Sequence, residues 1–443
     1  MSEKFTSLLD KVYELHDLEK AAHVLMWDRE VNMPTGGMEA RTQQLTTLTK
    51  MHHTLSTSTE YGDTLDAAAE ETQAADYNSF EASLIRYLQR DYDINTKLPT
   101  EFVTRVTTIS AGALTAWKQA RETDDFAHFE PHLAQVIELA QEMADLYGYD
   151  DEKYDALLDK FEPDMKTAEV RAVFDAVKDK TVPLLQQIQE AGRPVDDSCL
   201  HRDYPVDRQK RLAPKMAEAV GYNFECGHLG TATHPFAVSF SNGDARITTR
   251  WYPDFISPSL FGTLHESGHA MYEQGTADAL ARTPLARGTS MGIHESQSRM
   301  LENVVGRSLG FWQKHYPQLQ ETFPENLSDV SVSEFYRAIN KVQPSFIRVE
   351  ADELTYNLHI ILRFELEQAM LNGDVTAKEL PTAWNDKMQT LLGVVPPDDT
   401  QGCLQDIHWT RPGFGYFPTY ALGNFYAAQL YEAASMQDEG ISQ

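Results

Sequence analysis

The segment from residue 253 to residue 297 begins PDFISPSLFGTLHESGHAMYEQG and ends HESQ, and the fold is organised around it. His265 and His269 are four residues apart, so on an α-helix they lie on one face about one turn apart. Two imidazoles in this arrangement can bind one zinc ion. Glu266 lies about a third of a turn from His265. It is too far round to replace that ligand, but it is close enough to take a proton from an activated water, which indicates hydrolysis.

The residues around this motif predict a buried helix. Apolar side chains form a broad band around it: Phe255, Ile256, Leu260, Phe261, Leu264, Ala270, Met271 and Tyr272. Ser257 and Pro258 are typical of a helix N-cap and first helical residue, and Gly275 is typical of a helix end. The alternative is a chance group of His and Glu side chains on a solvated surface helix, and the apolar band argues against it.

A catalytic zinc site usually has three protein ligands and one open position, so a third ligand must come from elsewhere in the chain. We predict Glu295, near the start of a second helix whose apolar spacing resumes at Ile293. His294 ranks second because it points about 100° away from Glu295 on a helix. Alternatively, Glu295 is a first-turn acid that favours the helix dipole.

The composition indicates a protein with a substantial core and excludes two classes of partner. Hydrophobic residues make up 42% of the 443 residues and charged residues 24%, so a disordered chain is not expected. A net charge of −29 would repel nucleic acids and anionic membranes. The three cysteines are widely spaced, which favours a reducing compartment. The sequence shows no signal-like N-terminus and no apolar run of about 18 residues, so we expect a cytoplasmic location.

Apolar periodicity predicts a mainly α-helical fold. A first helix runs from Phe5 towards Trp27 and ends before Met33. Further helices are predicted at 38–57, 63–92, 100–122, 126–147 and 165–192. We assign the chain to a single unit with a deep active-site cleft. In this division, residues 1–195 form an N-terminal helical part that covers the cleft, and residues 196–443 form the zinc-binding catalytic part.

A β-hairpin is predicted immediately before the metal-binding helix. Apolar and small residues alternate from Phe236 to Phe240, Asn242 and Gly243 supply a tight turn, and residues 246–251 return as a second strand. The edge of such a small sheet could bind an extended peptide through main-chain hydrogen bonds, or the hairpin could only brace the helix.

The chain resembles the carboxypeptidase Taq family of zinc metallocarboxypeptidases at blocks that span nearly its whole length. These blocks are His234-Pro235-Phe236, Asp244-Ala245-Arg246-Ile247-Thr248, His265 to His269, His294-Glu295-Ser296-Gln297, Ile347-Arg348-Val349-Glu350-Ala351-Asp352 and Gly402-Cys403-Leu404-Gln405-Asp406-Ile407-His408-Trp409. An N-terminal block is also similar, with Trp27-Asp28, Met33-Pro34 and Gly37. The resemblance implies a fold similar to helical zinc peptidases and a homodimer. It also implies release of C-terminal residues, with broad specificity, from peptides with a free C-terminus.

A carboxypeptidase must recognise a free carboxylate, and a guanidinium does so well because it offers paired donors in a fixed fork. The resemblance makes Arg348 this ligand, with Asp352 orienting it, at the start of a helix predicted over 344–371. Without the resemblance, the spacing of four residues between Arg348 and Asp352 would indicate an ordinary salt bridge on a helix surface. Arg411 is an alternative carboxylate ligand. The resemblance puts His234 in the active-site region, and a buried structural histidine is the alternative.

Peptide hydrolysis passes through an oxyanion that needs a hydrogen-bond donor besides the metal. By similarity to the broader group of helical zinc peptidases, we predict Tyr420 and His408 as these donors. Glu266 is the predicted general base at a zinc site, where cobalt is a substitute. Aromatic and glycine clusters such as that of 402–420 also occur in plain packed loops. Two other functions remain open, a zinc endopeptidase or oligopeptidase and a catalytically silent peptide-binding protein. Glu266 argues against the second, since a structural site needs no base.

Overall fold

The computed structural model describes residues 2–438, 440 and 441, and its fold is mainly α-helical. The helices before the sheet are α1 (Glu3–Val31), α2 (Met38–Ser56), α3 (Thr59–Thr72), α4 (Phe80–Lys97), α5 (Thr100–Thr123), α6 (Phe126–Tyr147), α7 (Lys153–Leu158), α8 (Thr167–Glu190) and α9 (Val206–Ala219). Those after the sheet are α10 (Ser257–Gln274), α11 (Met291–Arg299), α12 (Leu309–Thr322), α13 (Pro324–Leu327), α14 (Val332–Ile339), α15 (Glu353–Asn372), α16 (Leu380–Leu392) and α17 (Pro418–Gln437). Among the described helices, none combines the length and apolar character needed to cross a membrane.

The predicted N-terminal helices are confirmed with one exception, because the helix predicted at 63–92 is in fact two helices, α3 and α4. In the turn between them, the Asp76 carboxylate accepts a hydrogen bond from the Asn78 amide at 2.9 Å. The Ser79 hydroxyl then caps α4 by accepting the Ala82 amide at 3.2 Å. Short polar side chains offer the backbone these alternatives to helical hydrogen bonds, so turn chemistry outweighs the apolar periodicity here.

The helix predicted over 344–371 begins later than expected, at Glu353. Arg348 precedes it, in a single 3-10 turn over Arg348–Glu350. Asp352 is the N-cap of α15, and its carboxylate accepts two backbone amides of the first turn at 3.0 and 3.1 Å. An N-cap residue has extended backbone geometry, so Arg348 and Asp352 do not share the face of one helix.

One small sheet contains the predicted hairpin. Its strands are β1 (Leu229–Thr231), β2 (Ala237–Ser241) and β3 (Asp244–Thr249), in the order β1-β3-β2. β2 and β3 pair antiparallel and form the hairpin, while β1 pairs parallel with β3. The sequence does not predict β1, because three residues are too few to show an alternating pattern. Buried side chains of β3 pack against α10, so the sheet supports the helix that carries the HESGH motif.

Buried apolar side chains form four clusters among the described residues. The largest combines α5 to α8 with α15 to α17 and the segments next to them. A second joins α9, α10, α12 and α14, a third joins α1, α3 and α4, and the fourth joins the sheet to α10. The largest cluster takes residues from both sides of the predicted boundary at 195. The division into 1–195 and 196–443 stays a prediction.

Candidate metal centre and substrate site

Three helices approach one another closely at Glu295 of α11. A Cβ atom on Gly268 of α10 would lie 2.4 Å from the carbonyl oxygen of Gln297, so only glycine lets these two helices touch. A Cβ atom on Gly423 of α17 would lie 2.6 Å from Cγ of Glu295. Close contact between backbones is a common reason for glycine inside a helix. The carboxylate of Glu295 is thereby brought to the motif-bearing face of α10.

The structure brings together the three predicted metal ligands. The Nε2 atoms of His265 and His269 lie 3.8 and 3.4 Å from Oε2 of Glu295. One ligand atom from each residue can be chosen so that all three lie within 4.8 Å of one another. Two imidazoles and one carboxylate are a donor set found in catalytic zinc sites, which keep a further position open. The residues present therefore fit a divalent metal ion.

Two partly buried charged residues, Glu302 and Arg299, hold these ligands in orientation. Oε2 of Glu302 lies 2.8 Å from Nδ1 of His265, which leaves Nε2 of that ring facing Glu295. Arg299 donates from Nε to Glu295 at 2.7 Å and from Nη1 to Glu302 at 3.2 Å. A carboxylate on the far nitrogen of a ligand histidine fixes its tautomer and raises its basicity. Glu302 and Arg299 thus lie behind the candidate ligands and fix their orientation by hydrogen bonds.

Sequence reasoning missed Glu302 and Arg299, although a signal was present. Positions 295, 299 and 302 follow one another at spacings of four and three, which place side chains on one face of a helix. The helix changes to a π-helix over Met300–Val305, directly after Arg299. Such π segments are frequent at functional sites.

The charges around the centre determine where protons reside. Burial lowers the pKa of His265, but the Glu295 and Glu302 carboxylates outweigh it and raise that pKa to about 9. Burial alone would raise the pKa of Glu295, but Arg299 and His265 hold it well below its usual range. Burial lowers the pKa of His269 to about 4. A metal ligand must be deprotonated, so a metal ion bound at His265 would displace the proton that the two carboxylates favour on this ring.

Glu266 is buried next to the ligands, with 6% of its surface exposed. Burial raises the pKa of its carboxyl group to about 7; His265 opposes this shift, and Glu295 and Glu302 add to it. A carboxyl group with a pKa near neutrality can both accept and return a proton during one reaction cycle.

His294, the alternative ligand, is turned to the outside of the centre. Its ring stacks on His269, with 4.5 Å between the ring centroids and 16° between the planes. Its Nε2 atom lies 3.0 Å from Oε1 of Glu273. His294 thus packs against one candidate metal ligand, and the Glu273 carboxylate holds it on the other side.

Arg348 is buried, and its partner is Asp406. Its Nε and Nη2 atoms donate to Oδ1 of Asp406 at 3.1 and 3.0 Å, and Nη1 donates to the Tyr356 hydroxyl at 3.1 Å. The expectation that Asp352 orients Arg348 is therefore corrected, because Asp352 caps α15 instead. A guanidinium carries more N–H donors than these three bonds use, so Arg348 retains donors for a ligand.

Asp406 is shared by two arginines. Besides Arg348, it accepts a hydrogen bond from Nε of Arg363 at 2.6 Å. Burial alone would raise the pKa of Asp406, but the two guanidinium groups hold it well below its usual range. Two positive charges against one negative charge leave a net positive site, which a bound carboxylate would neutralise.

His408 and Tyr420 lie beside this positive site. The Arg348 guanidinium carbon lies 5.0 Å from the centroid of the Tyr420 ring, and the His408 and Tyr420 rings are 6.3 Å apart. Burial lowers the pKa of His408 to about 4, and burial raises the pKa of Tyr420 well above its usual range. Both side chains are therefore neutral at neutral pH, and each has a proton to donate.

Glu367 of α15 fixes the segment between α16 and α17, which carries several of these groups. Its buried carboxylate accepts hydrogen bonds from Nε1 of Trp409 at 2.9 Å, the Gly415 amide at 3.0 Å and the Tyr154 hydroxyl at 2.7 Å. Burial raises the pKa of Glu367 to about 7. In the sequence, Glu367 is a glutamate in a mostly apolar helical segment, and this pattern is not specific enough to identify a role.

Two predicted substrate residues lie on the surface. His234 is exposed in the segment before β2, so it is not a buried structural histidine. Arg411 is exposed and directly follows the 3-10 turn Ile407–Thr410.

Comparisons with known proteins agree with this geometry. The sequence model of a family described as carboxypeptidase Taq (M32) metallopeptidase matches residues 7–443. Thermostable carboxypeptidase 1 of Thermus thermophilus is 40% identical, over 98% of this chain and 86% of its own length. Carboxypeptidase 1 of Bacillus subtilis is 39% identical, over 95% of this chain and 84% of its own length.

Solved structures show the same relationship. A carboxypeptidase of Pyrococcus furiosus superposes with a TM-score of 0.95 at 37% identity, over 99% of this chain and 88% of the other. An M32 carboxypeptidase of Deinococcus radiodurans gives a TM-score of 0.94 at 36% identity, with the same coverage of both chains. From its sequence, its fold and the arrangement of its candidate site, this chain belongs to the carboxypeptidase Taq (M32) family and is a metallocarboxypeptidase.

Proposed function

We propose that this metallocarboxypeptidase uses zinc and releases C-terminal residues, with broad specificity, from peptides that have a free C-terminus. One observation carries the proposal. His265, His269 and Glu295 converge next to the buried carboxyl group of Glu266. A base beside three metal ligands is what hydrolysis needs, whereas a purely structural metal site is closed and needs no base.

In this proposal His265, His269 and Glu295 hold the metal. Two imidazoles and a carboxylate suit zinc, and cobalt is an alternative metal for the same donors. When bound, the ion supplies a Lewis acid that polarises the scissile carbonyl and makes water more acidic. Glu302 and Arg299 keep the His265 ring and the Glu295 carboxylate in the binding orientation.

Glu266 is the general base. It accepts a proton from the attacking water and later gives that proton to the leaving amine, and a pKa raised to about 7 by burial suits both steps. Tyr420 and His408 donate hydrogen bonds to the developing oxyanion. Their neutral state supports this role, because each keeps a proton to donate at neutral pH.

Arg348 binds the C-terminal carboxylate of the substrate. Its remaining N–H donors and the net positive charge of the group that it forms with Arg363 and Asp406 support this role. With the terminal carboxylate held by Arg348, we expect only the last peptide bond to reach the metal ligands and Glu266, so that single residues are released. Arg411 remains an alternative carboxylate ligand, and His234 an outer substrate contact.

A glutamine at position 266 tests this proposal. Glu266→Gln keeps the size of the side chain but removes the base, so we expect kcat to fall at least about 100-fold while bound zinc stays at one ion per chain. Hydrolysis of an N-acylated dipeptide and the zinc content of the purified variant measure the two quantities. Glu321→Gln, at an exposed position, is the control. Turnover that survives Glu266→Gln would remove this residue as the base.

The homodimer and the cytoplasmic location belong to the same proposal. The homodimer rests on the resemblance to the family, and the location rests on the three widely spaced cysteines. Sedimentation of the zinc-loaded chain tests the first, and a single monomeric species would contradict it. Fractionation of the producing cells tests the second, and recovery outside the cytoplasm would contradict it.

A further inference from the structure

Tyr356, in the first turn of α15, lies between two arginines that serve different parts of the site. Its hydroxyl accepts a hydrogen bond from Nη1 of Arg348 at 3.1 Å. Its ring faces Arg299, with 4.4 Å between the guanidinium carbon and the ring centroid. The side chain is 6% exposed. One rigid aromatic side chain therefore contacts both the candidate carboxylate ligand and the arginine beside the metal ligands.

The ring of Tyr356 is linked through Arg299 to the candidate metal ligands. Arg299 donates to the carboxylates of Glu295 and Glu302 at 2.7 and 3.2 Å, and Glu302 in turn lies 2.8 Å from His265. A guanidinium that is desolvated over an aromatic face gains attraction from the ring. Removal of the ring would therefore loosen Arg299 and, with it, the orientation of the ligands.

The hydroxyl of Tyr356 completes the support of Arg348. Asp406 holds Nε and Nη2 of this guanidinium, and the rings of Phe417 and Tyr420 lie 5.7 and 5.0 Å from its central carbon. Among the described residues, the Tyr356 hydroxyl is the hydrogen-bond acceptor for Nη1 of Arg348. Without the hydroxyl, the guanidinium keeps Asp406 but loses its hydrogen bond to the residue that packs against Arg299.

The start of α15 fixes Tyr356 itself. Asp352 caps this helix and also accepts the Thr355 hydroxyl at 2.8 Å and the Gln343 amide at 3.1 Å. The backbone that carries Tyr356 is thus tied to the segment before the helix. Because its backbone is fixed in this way, Tyr356 can hold Arg348 and Arg299 at a constant separation.

We propose that Tyr356 is a positioning residue that sets the distance between the carboxylate ligand Arg348 and the metal-ligand group. The inference rests on the proposed role of Arg348 and deepens it. The two ends of the side chain have separate effects: the hydroxyl positions Arg348 and thereby the terminal carboxylate, and the ring positions Arg299 and thereby Glu295. A tyrosine that only fills space would affect stability and would not separate these two effects.

The test compares zinc-loaded Tyr356→Phe, Tyr356→Leu and Arg348→Ala with the unaltered chain. Tyr316→Phe is the matched control, because its buried hydroxyl donates to the Val330 carbonyl at 3.0 Å, outside the site. The readouts are KM and kcat for an N-acylated dipeptide with a free carboxylate, and the rate at which a chelator removes zinc. Loss of one hydrogen bond to a charged group is expected to raise KM about 10-fold in Tyr356→Phe, more than it changes kcat.

Zinc release separates the ring from the hydroxyl. Tyr356→Phe keeps the ring and should release zinc at the unaltered rate, whereas Tyr356→Leu should raise KM and also release zinc about 10-fold faster. Tyr316→Phe should change neither quantity. An unchanged KM in Arg348→Ala would overturn the proposed carboxylate ligand and this inference with it. A raised KM in Arg348→Ala with an unchanged KM in Tyr356→Phe would overturn the inference alone. Equal rates of zinc release from Tyr356→Leu and from the unaltered chain would also overturn the inference alone.

Discussion

Glu302 determines which nitrogen of His265 faces the other candidate ligands, because its carboxylate lies 2.8 Å from Nδ1. Glu302→Gln keeps the size of the side chain but removes the charge that makes the imidazole more basic. We expect zinc affinity to fall about 10- to 100-fold. Competition with a chelating dye measures the affinity, and Glu321→Gln at an exposed position should bind zinc as the unaltered chain does. Equal affinity in Glu302→Gln and in this control would contradict the assigned role.

Glu367 links pH to the stability of the segment that it holds. Burial raises the pKa of its folded form from an ordinary 4.5 to about 7. Between these values the folded chain keeps a proton that the unfolded chain has lost, so the stabilising contribution of Glu367 is complete below about pH 4.5 and declines as pH rises towards 7.

Urea unfolding at about pH 5 and about pH 7.5 measures this effect. The quantity is the free energy of unfolding of the unaltered chain minus that of Glu367→Gln, which does not titrate at this position. We expect the difference to be smaller at the higher pH. A difference that grows with pH would show that the folded state lowers this pKa instead.

At the residue scale, local spacing predicted the candidate ligands but not their partners. His265 and His269 are one helical turn apart, so spacing alone puts them together. Spacing also suggested Asp352 as the partner of Arg348, but the structure pairs Arg348 with Asp406, which is 58 residues away in the chain. Buried charges find partners in tertiary packing, which a periodic pattern does not describe.

The crossing of α10 and α11 depends on the missing side chain of Gly268. In Gly268→Ala the new Cβ would lie 2.4 Å from the Gln297 carbonyl oxygen, so a backbone must move. We expect a loss of about 1–3 kcal/mol in the free energy of unfolding. Weaker zinc binding should accompany it, because Glu295 moves with α11. Urea unfolding and chelator competition measure the two effects.

Gly262 on the same helix provides the matched control for this prediction. A Cβ atom there would lie 3.5 Å from Oγ1 of Thr249, which is an ordinary contact. Because alanine favours a helix over glycine, Gly262→Ala should keep zinc affinity and stabilise the chain by up to about 1 kcal/mol. Equal behaviour of the two alanine variants would contradict the importance of the crossing.

At the element scale, the helices could be predicted where their ends carry clear signals. The helix predicted at 126–147 has the predicted bounds, and the motif helix ends at Gly275 as expected. The break within 63–92 was missed, because Asp76 and Ser79 act through side-chain hydrogen bonds that apolar periodicity does not register. β1 was missed because strand pairing alone defines so short a segment.

At the scale of the whole molecule, the sequence predicted a mainly α-helical metallocarboxypeptidase but not how its parts pack. Apolar periodicity reports which face of a helix is buried, and it does not report which element covers that face. The largest core therefore could not be foreseen, since it joins α5 to α8 with α15 to α17 across the predicted boundary at 195. Along α15, Glu367 bonds to Tyr154 of α7, and Tyr356, which belongs to this core, bonds to Arg348 of the candidate site.

The most direct test of the central claim is mass spectrometry of the products from one mixed-sequence peptide. The peptide is supplied as the free acid and as the C-terminal amide, to zinc-loaded and to chelator-treated protein. The account predicts a ladder of single residues lost from the free C-terminus, which disappears after amidation or chelation. Internal cuts that ignore the terminus, or cleavage that persists without metal, would contradict it.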